Sequence, residues 1–121
     1  MKLYSLNQPI HCSCFSDNIV NLIDMKAQLV LIIEVTQDFN NLSSLDIIFQ
    51  CSDNKDFYNP INLIQQTIVK SQLKEQTKSV IKFYPKNQLS FTRLEFKVRG
   101  VNPTQGQITA VLEEEENEQN D

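Results

Sequence analysis

Tryptophan is absent from this chain, histidine occurs once, glycine twice and cysteine three times. Each scarcity closes off a class of function. With only Gly100 and Gly106, no glycine-rich loop is available to wrap its backbone around a phosphate. A lone His11 leaves no second imidazole for a metal centre or a proton relay. Carbohydrate-binding sandwiches present exposed aromatic rings for stacking on sugars. Here Tyr4, Tyr58 and Tyr84 are scattered through the sequence, so that role ranks low. No apolar run approaches the roughly 20 residues that span a bilayer, the longest being Leu29 to Ile33. The first nine residues lack the apolar core of a secretory signal, so the expected setting is a soluble protein made in a cytoplasm.

The cysteines are odd in number and sparse. Cys12-Ser13-Cys14 resembles half a metal knuckle, but the remaining soft ligands are only Cys51 and His11. In an extended segment Cys12 and Cys14 fall on one face and fill a half-buried row, while His11 and Cys12 point apart. Asp53 and Asp56 in Ser52-Asp53-Asn54-Lys55-Asp56 faintly echo a calcium loop but lack its central glycine and closing glutamate. A hydrogen-bonded turn is the expectation there. No catalytic residue, cofactor or metal site is expected, and the chain reads as a non-enzyme.

What the sequence has in quantity is alternation. Leu29, Leu31, Ile33 and Val35 share one face of a run ending in Glu34 and Thr36. Leu45, Ile47, Phe49 and Cys51 alternate with Asp46, Gln50 and Ser52. Leu94, Phe96 and Val98 alternate with Arg93, Glu95, Lys97 and Arg99. A period of two is the pattern of a sheet with one wet face. Further strands are predicted over 10–15, 18–23, 79–84 and 106–112. Turns fall at 16–18, 38–41, 52–56, 85–87 and 102–106. The stretch 62–76 spaces Ile64, Ile68 and Gln72 as a helix would, but the β-branched Thr67-Ile68-Val69 favours strand followed by loop. The predicted fold is an all-β, antiparallel, jelly-roll-like sandwich of about eight short strands. One domain is expected over 1–112, followed by a flexible acidic tail over 113–121.

Charge is unevenly spread. The formal net charge is −4, yet six of the fifteen acids lie in that tail, leaving nine acids against eleven bases in the body. Lys70 to Arg99 holds eight bases and two acids. The bases are dispersed over separate elements without the aromatic motifs of an RNA-binding domain, so solvated strand faces explain them better than nucleic acid.

The order of the segments adds a resemblance. Phe15-Ser16-Asp17-Asn18, Val20-Asn21-Leu22-Ile23-Asp24 and Leu29 to Val35 resemble the opening of the tailed-phage capsid cement (decoration, or auxiliary head) proteins. There an "FSD" segment precedes "NVIDLG"-like and "LVVQV"-like strands. Gln50-Cys51-Ser52-Asp53-Asn54-Lys55-Asp56-Phe57 is similar to that family's "QTSDDxxF", and Phe91 to Gly100 to its "RYLRLxYxVxG". Gly106-Gln107-Ile108-Thr109-Ala110-Val111-Leu112 is similar to its "GxVTAxLV". The likeness spans about residues 15 to 112. It departs from the family at Met25-Lys26-Ala27, Ile64-Gln65-Gln66 and Lys86-Asn87-Gln88, where the family commonly carries glycine.

The resemblance implies a jelly-roll virion protein on the capsid exterior, made in the bacterial host cytoplasm. It would stabilise contacts between major capsid protein subunits as a small homo-oligomer, a dimer ahead of a trimer. It implies no direct contact with nucleic acid or membrane. Arg93, Lys97 and Arg99 are the candidate partner contacts, being the exposed row of the best-alternating strand. A tail, baseplate or head-fibre adaptor is the alternative role, and a carbohydrate-binding module ranks below it.

Overall fold

The computed structural model describes residues 1–22, 25, 28–84 and 90–115. Among the described residues nine strands run in chain order: β1 (Lys2–Pro9), β2 (Cys14–Phe15), β3 (Val20–Asn21), β4 (Gln28–Gln37), β5 (Leu42–Ser52), β6 (Ile61–Val69), β7 (Lys78–Phe83), β8 (Phe91–Gly100) and β9 (Gln107–Glu115). A 3-10 turn, Lys70–Gln72, follows β6. One sheet has the order β1-β9-β4-β7; the other has β2-β8-β5-β6, with β3 also on β8. All pairings are antiparallel. Counted as one interrupted strand, β2 and β3 reduce the set to eight, and successive strands alternate between the sheets except at the β5–β6 hairpin, which is the connectivity of a jelly roll.

The core fills the space between the sheets with the side chains that alternation assigns to it. Leu29, Leu31, Ile33 and Val35 of β4 are at most 1% exposed and face Leu45, Ile47 and Phe49 of β5, and Leu94 and Phe96 of β8. Phe49 is its aromatic centre. The Tyr4 ring stands edge-on to it at 6.1 Å, and the Phe83 ring tilts against it at 5.0 Å. Because Tyr4 lies on β1 and Phe83 on β7, one side chain of the second sheet grips both edge strands of the first. A buried polar tie reinforces the contact between layers. Thr92 Oγ1 donates to the Val20 carbonyl at 2.8 Å, so the Tyr4 hydroxyl is the donor in its 2.6 Å bond to that same oxygen. Burial drives the Tyr4 pKa well above the ordinary phenol value.

Both glycines have stereochemical reasons. Gly100 adopts φ +90° at the end of β8, and a Cβ there would lie 2.6 Å from Ser43 Oγ. Gly106 adopts φ +140°, and a Cβ there would overlap the Phe39 ring. That ring thus lies directly against the backbone that leads into β9.

Several boundaries differ from expectation. The chain opens with β1 over Lys2–Pro9, where alternation predicts no strand, and 10–13 forms bends instead of the predicted strand. The inward residues of β1 include Ser5 and Gln8, whose polarity hides the period. Two register shifts against β9, and Asn7 at φ +48°, break it further. Cys12 therefore does not share a strand face with Cys14: it is exposed in a bend, while Cys14 packs against the core. The strand predicted over 18–23 is ordered as β3 for two residues only; Ile23 lies outside the described residues. The strand predicted over 106–112 runs on to Glu115. Glu113, Glu114 and Glu115 pair with Val30, Leu29 and Gln28 of β4, so the sheet claims the first three acids of the predicted tail. The rest of that tail, 116–121, lies outside the described residues, as do the turn at 85–87 and the Lys26-Ala27 pair.

Candidate docking faces

Each sheet turns one face away from the core, and the two faces are built differently. On the β2-β8-β5-β6 sheet, β5 is central, and all its residues from Leu45 to Ser52 are buried, including the outward-pointing Asp46, Ile48 and Gln50. Cross-strand rows supply the cover. Asn62, Gln50 and Arg93 stand side by side on β6, β5 and β8; so do Gln65, Ile48 and Glu95, and then Thr67, Asp46 and Lys97. The first row is also a hydrogen-bonding set. Arg93 Nε donates to Gln50 Oε1 at 2.9 Å. Gln50 Nε2 in turn donates to Asn62 Oδ1 at 2.9 Å and Glu95 Oε1 at 3.3 Å.

Above this row, the Arg93 guanidinium lies between two rings, 3.7 Å from the centroid of Phe15 and 4.1 Å from that of Phe57. A planar cation stacks well on both faces, which an ammonium would not. Desolvation here lowers the Arg93 pKa from its ordinary value, while Glu95 acts to raise it. Phe57 is brought to this position by the 52–58 turn. Asn54 Oδ1 accepts from the Asp56 and Tyr58 amides at 3.0 and 3.2 Å, and the Asn54 carbonyl accepts from the Phe57 amide at 3.2 Å. Phe57 itself takes φ +54°. The Asp53–Asp56 segment is thus a self-bonded turn, as its sequence suggests, and it carries a ring onto Arg93.

The third row holds a buried carboxylate. Asp46 Oδ1 accepts from Thr67 Oγ1 at 2.7 Å, and Oδ2 from Arg99 Nε at 2.8 Å in an ion pair. Burial of Asp46 opposes its ionisation, but these two hydrogen bonds, with the charges of Arg99 and Lys97, outweigh it and hold the pKa below the ordinary aspartate value.

The three predicted contact residues therefore share a face but not a state. Arg93 is held in its aromatic stack, Arg99 is half committed to Asp46, and Lys97 is exposed beside them. Nothing in the sequence pattern marks Phe15, Phe57 and Gln50 as members of the same cluster.

The outer face of the β1-β9-β4-β7 sheet is plainer. Register places Leu3, Val111, Ile32 and Val80 in one apolar row across all four strands, with Leu3 and Val80 exposed at its ends. Charged rows flank it. Lys82 and Glu113 lie beside Val30, and Lys82 Nζ pairs with Glu115 at 3.3 Å; Lys78 and Glu34 lie opposite each other on the other flank.

No described group of three or more His, Cys, Asp or Glu side chains is placed to hold a metal ion. His11 is exposed in the 10–13 bends. Burial, together with the neighbouring Cys12 and Asp17, raises the Cys14 pKa and so keeps it a thiol. Among the described residues, no helix is long and apolar enough to cross a membrane. Neither a protein-family model nor a curated protein matches this chain.

Proposed function

We propose that this protein is a capsid cement protein of a tailed phage. It binds the outer surface of the head as a small homo-oligomer and stabilises contacts between major capsid subunits. One observation carries most of the weight. Phe15, Phe57 and Arg93 each belong to a different segment through which the sequence resembles that family, and these three residues, distant in the chain, meet in one aromatic–guanidinium stack. Segments whose shared product is a single rigid cluster form a more specific likeness than separate β phrases do.

The chemistry suits the role. Much of the β2-β8-β5-β6 exterior is built from side chains already satisfied by their neighbours, so a partner surface can be met with little reorganisation. A protein that binds only the assembled shell stabilises it by mass action, and one that bridges two subunits gains further from effective concentration. The test is to add the purified protein to mature heads of the encoding phage stripped of it. Binding that approaches one copy per major capsid subunit, with an increase in the temperature at which DNA escapes, is expected. Recovery at only a dozen or so copies per particle, confined to the tail or a vertex, would replace this role with that of an adaptor. Absence of binding at any ionic strength would end it.

A further inference from the structure

Four strands or strand pairs border the two sheets, and three of them are poorly suited to receive another strand. β1 carries Lys2 and Pro9 and has two register shifts; β7 places Lys78 and Lys82 within six residues; β2 and β3 are two residues each. Such charges, prolines and interruptions are how sheet borders avoid pairing with other chains.

β6 has almost none of them. It ends the β2-β8-β5-β6 sheet, runs nine residues from Ile61 to Val69, and contains no charged residue and no proline. Its one irregularity is the shift at Leu63, where Phe49 pairs with Ile64 but Gln50 pairs with Asn62. Ile61, Leu63 and Val69 are about half exposed, at 50%, 51% and 47%.

The order of residues along this edge is nearly palindromic: Leu63-Ile64-Gln65-Gln66-Thr67-Ile68-Val69. We infer that β6 is the edge through which two copies of this chain pair, antiparallel, about a two-fold axis at Gln66. In that register Ile64 stands opposite Ile68 of the second copy, Gln65 opposite Thr67, Leu63 opposite Val69, and Gln66 opposite itself. Over 63–69 every apolar side chain meets an apolar one and every polar side chain a polar one, each contact between unlike positions occurring twice by symmetry, while Ile61 falls opposite Ser71, beyond the end of the strand.

Neighbouring registers lose this match. Moving the axis to Gln65 sets Ile64 against Gln66 and Leu63 against Thr67; moving it to Thr67 sets Ile64 against Lys70 and Ile68 against Gln66. An axis between two residues would oppose core-side and solvent-side positions, which strand alternation forbids. Ile68 is buried and Ile64 packs on the core, so their pairing would carry the hydrophobic layer of one copy into the other.

The inference deepens the homo-oligomer proposed above but does not depend on the capsid. A dimer with no affinity for heads would remove the proposed role and leave this junction in place. Sedimentation velocity of the full chain is the test. Wild type is expected to be dimeric at about 100 μM, a range that also detects weak association. Leu63→Lys and Val69→Glu should each sediment as monomers while melting at the wild-type monomer's temperature, because both side chains are half exposed. Mixed in equal amounts, the two variants should form a heterodimer, since the register sets position 63 of one copy against position 69 of the other and so brings the new ammonium onto the new carboxylate. A monomeric wild type would overturn the inference. So would a dimer indifferent to both substitutions, or two monomeric variants that do not recover on mixing.

Discussion

The two outer faces are drawn from similar alternating strands, yet they differ in condition. On the β1-β9-β4-β7 sheet the apolar row Leu3, Val111, Ile32 and Val80 is open at both ends, with charges in lines beside it. On the β2-β8-β5-β6 sheet polar and charged side chains dominate, but its central strand is wholly buried from Leu45 to Ser52. The difference lies in what crosses each face. Phe15 and the 52–58 turn bring rings over Arg93, and long side chains from β6 and β8 close over β5. Nothing comparable crosses Ile32 among the described residues. A charged row can therefore be the more structural of two surfaces and an apolar row the more available.

The wall common to both faces sets the upper end of the scale. Phe49→Ala removes the ring that holds Tyr4 and Phe83 and should cost about 3–5 kcal/mol in urea unfolding. If the stack on β8 is structural, Arg93→Ala should cost about 1–3 kcal/mol, since it forfeits two ring contacts and the bond to Gln50. Arg93→Lys should recover less than half of that loss, and a neutral Arg93→Ala would erase the distinction between the faces.

Acid titration probes the third row. The folded pKa of Asp46 lies below its unfolded value of about 3.9, so its contribution is complete above that value and is lost as pH falls through the folded pKa. Stability measured by denaturant midpoint should drop below about pH 4, and Asp46→Asn should flatten the drop. The smallest effects belong to the exposed positions. Lys97→Ala on one face and Val80→Ser on the other should each shift stability by no more than about 0.5 kcal/mol, which makes them suitable for testing docking without disturbing the fold.

The parts of this architecture visible in the sequence are those where burial and polarity agree. β4, β5 and β8 place Leu29, Phe49 and Leu94 inward with polar neighbours on the opposite face, and their orientation follows directly. β1 is hidden because Ser5 and Gln8 point inward and satisfy each other, with Gln8 also bonding the Phe15 carbonyl at 2.9 Å. A polar pair that solves its own burial leaves no hydrophobic trace. The end of β9 is hidden for another reason: four consecutive acids from Glu113 suggest solvated chain. Register with β4 and the Lys82–Glu115 pair draw three of them into the sheet. The candidate site is legible only in part. Alternation tells which way Arg93, Lys97 and Arg99 point, but direction does not reveal what lies overhead, and Phe15 and Phe57 reach Arg93 from remote segments.

The position of β9 has a consequence for how the protein is made. This last described strand is not at a border: it fits between β1 and β4 and pairs with both along most of its length. While a ribosome is still producing β8, β1 has no neighbour in its own sheet and β4 has an empty slot on one side. Closure must wait for β9, and non-local joining of this kind is slow, on the order of milliseconds to seconds. Until then two backbone rows, one on β1 and one on β4, stand unpaired on either side of a single gap.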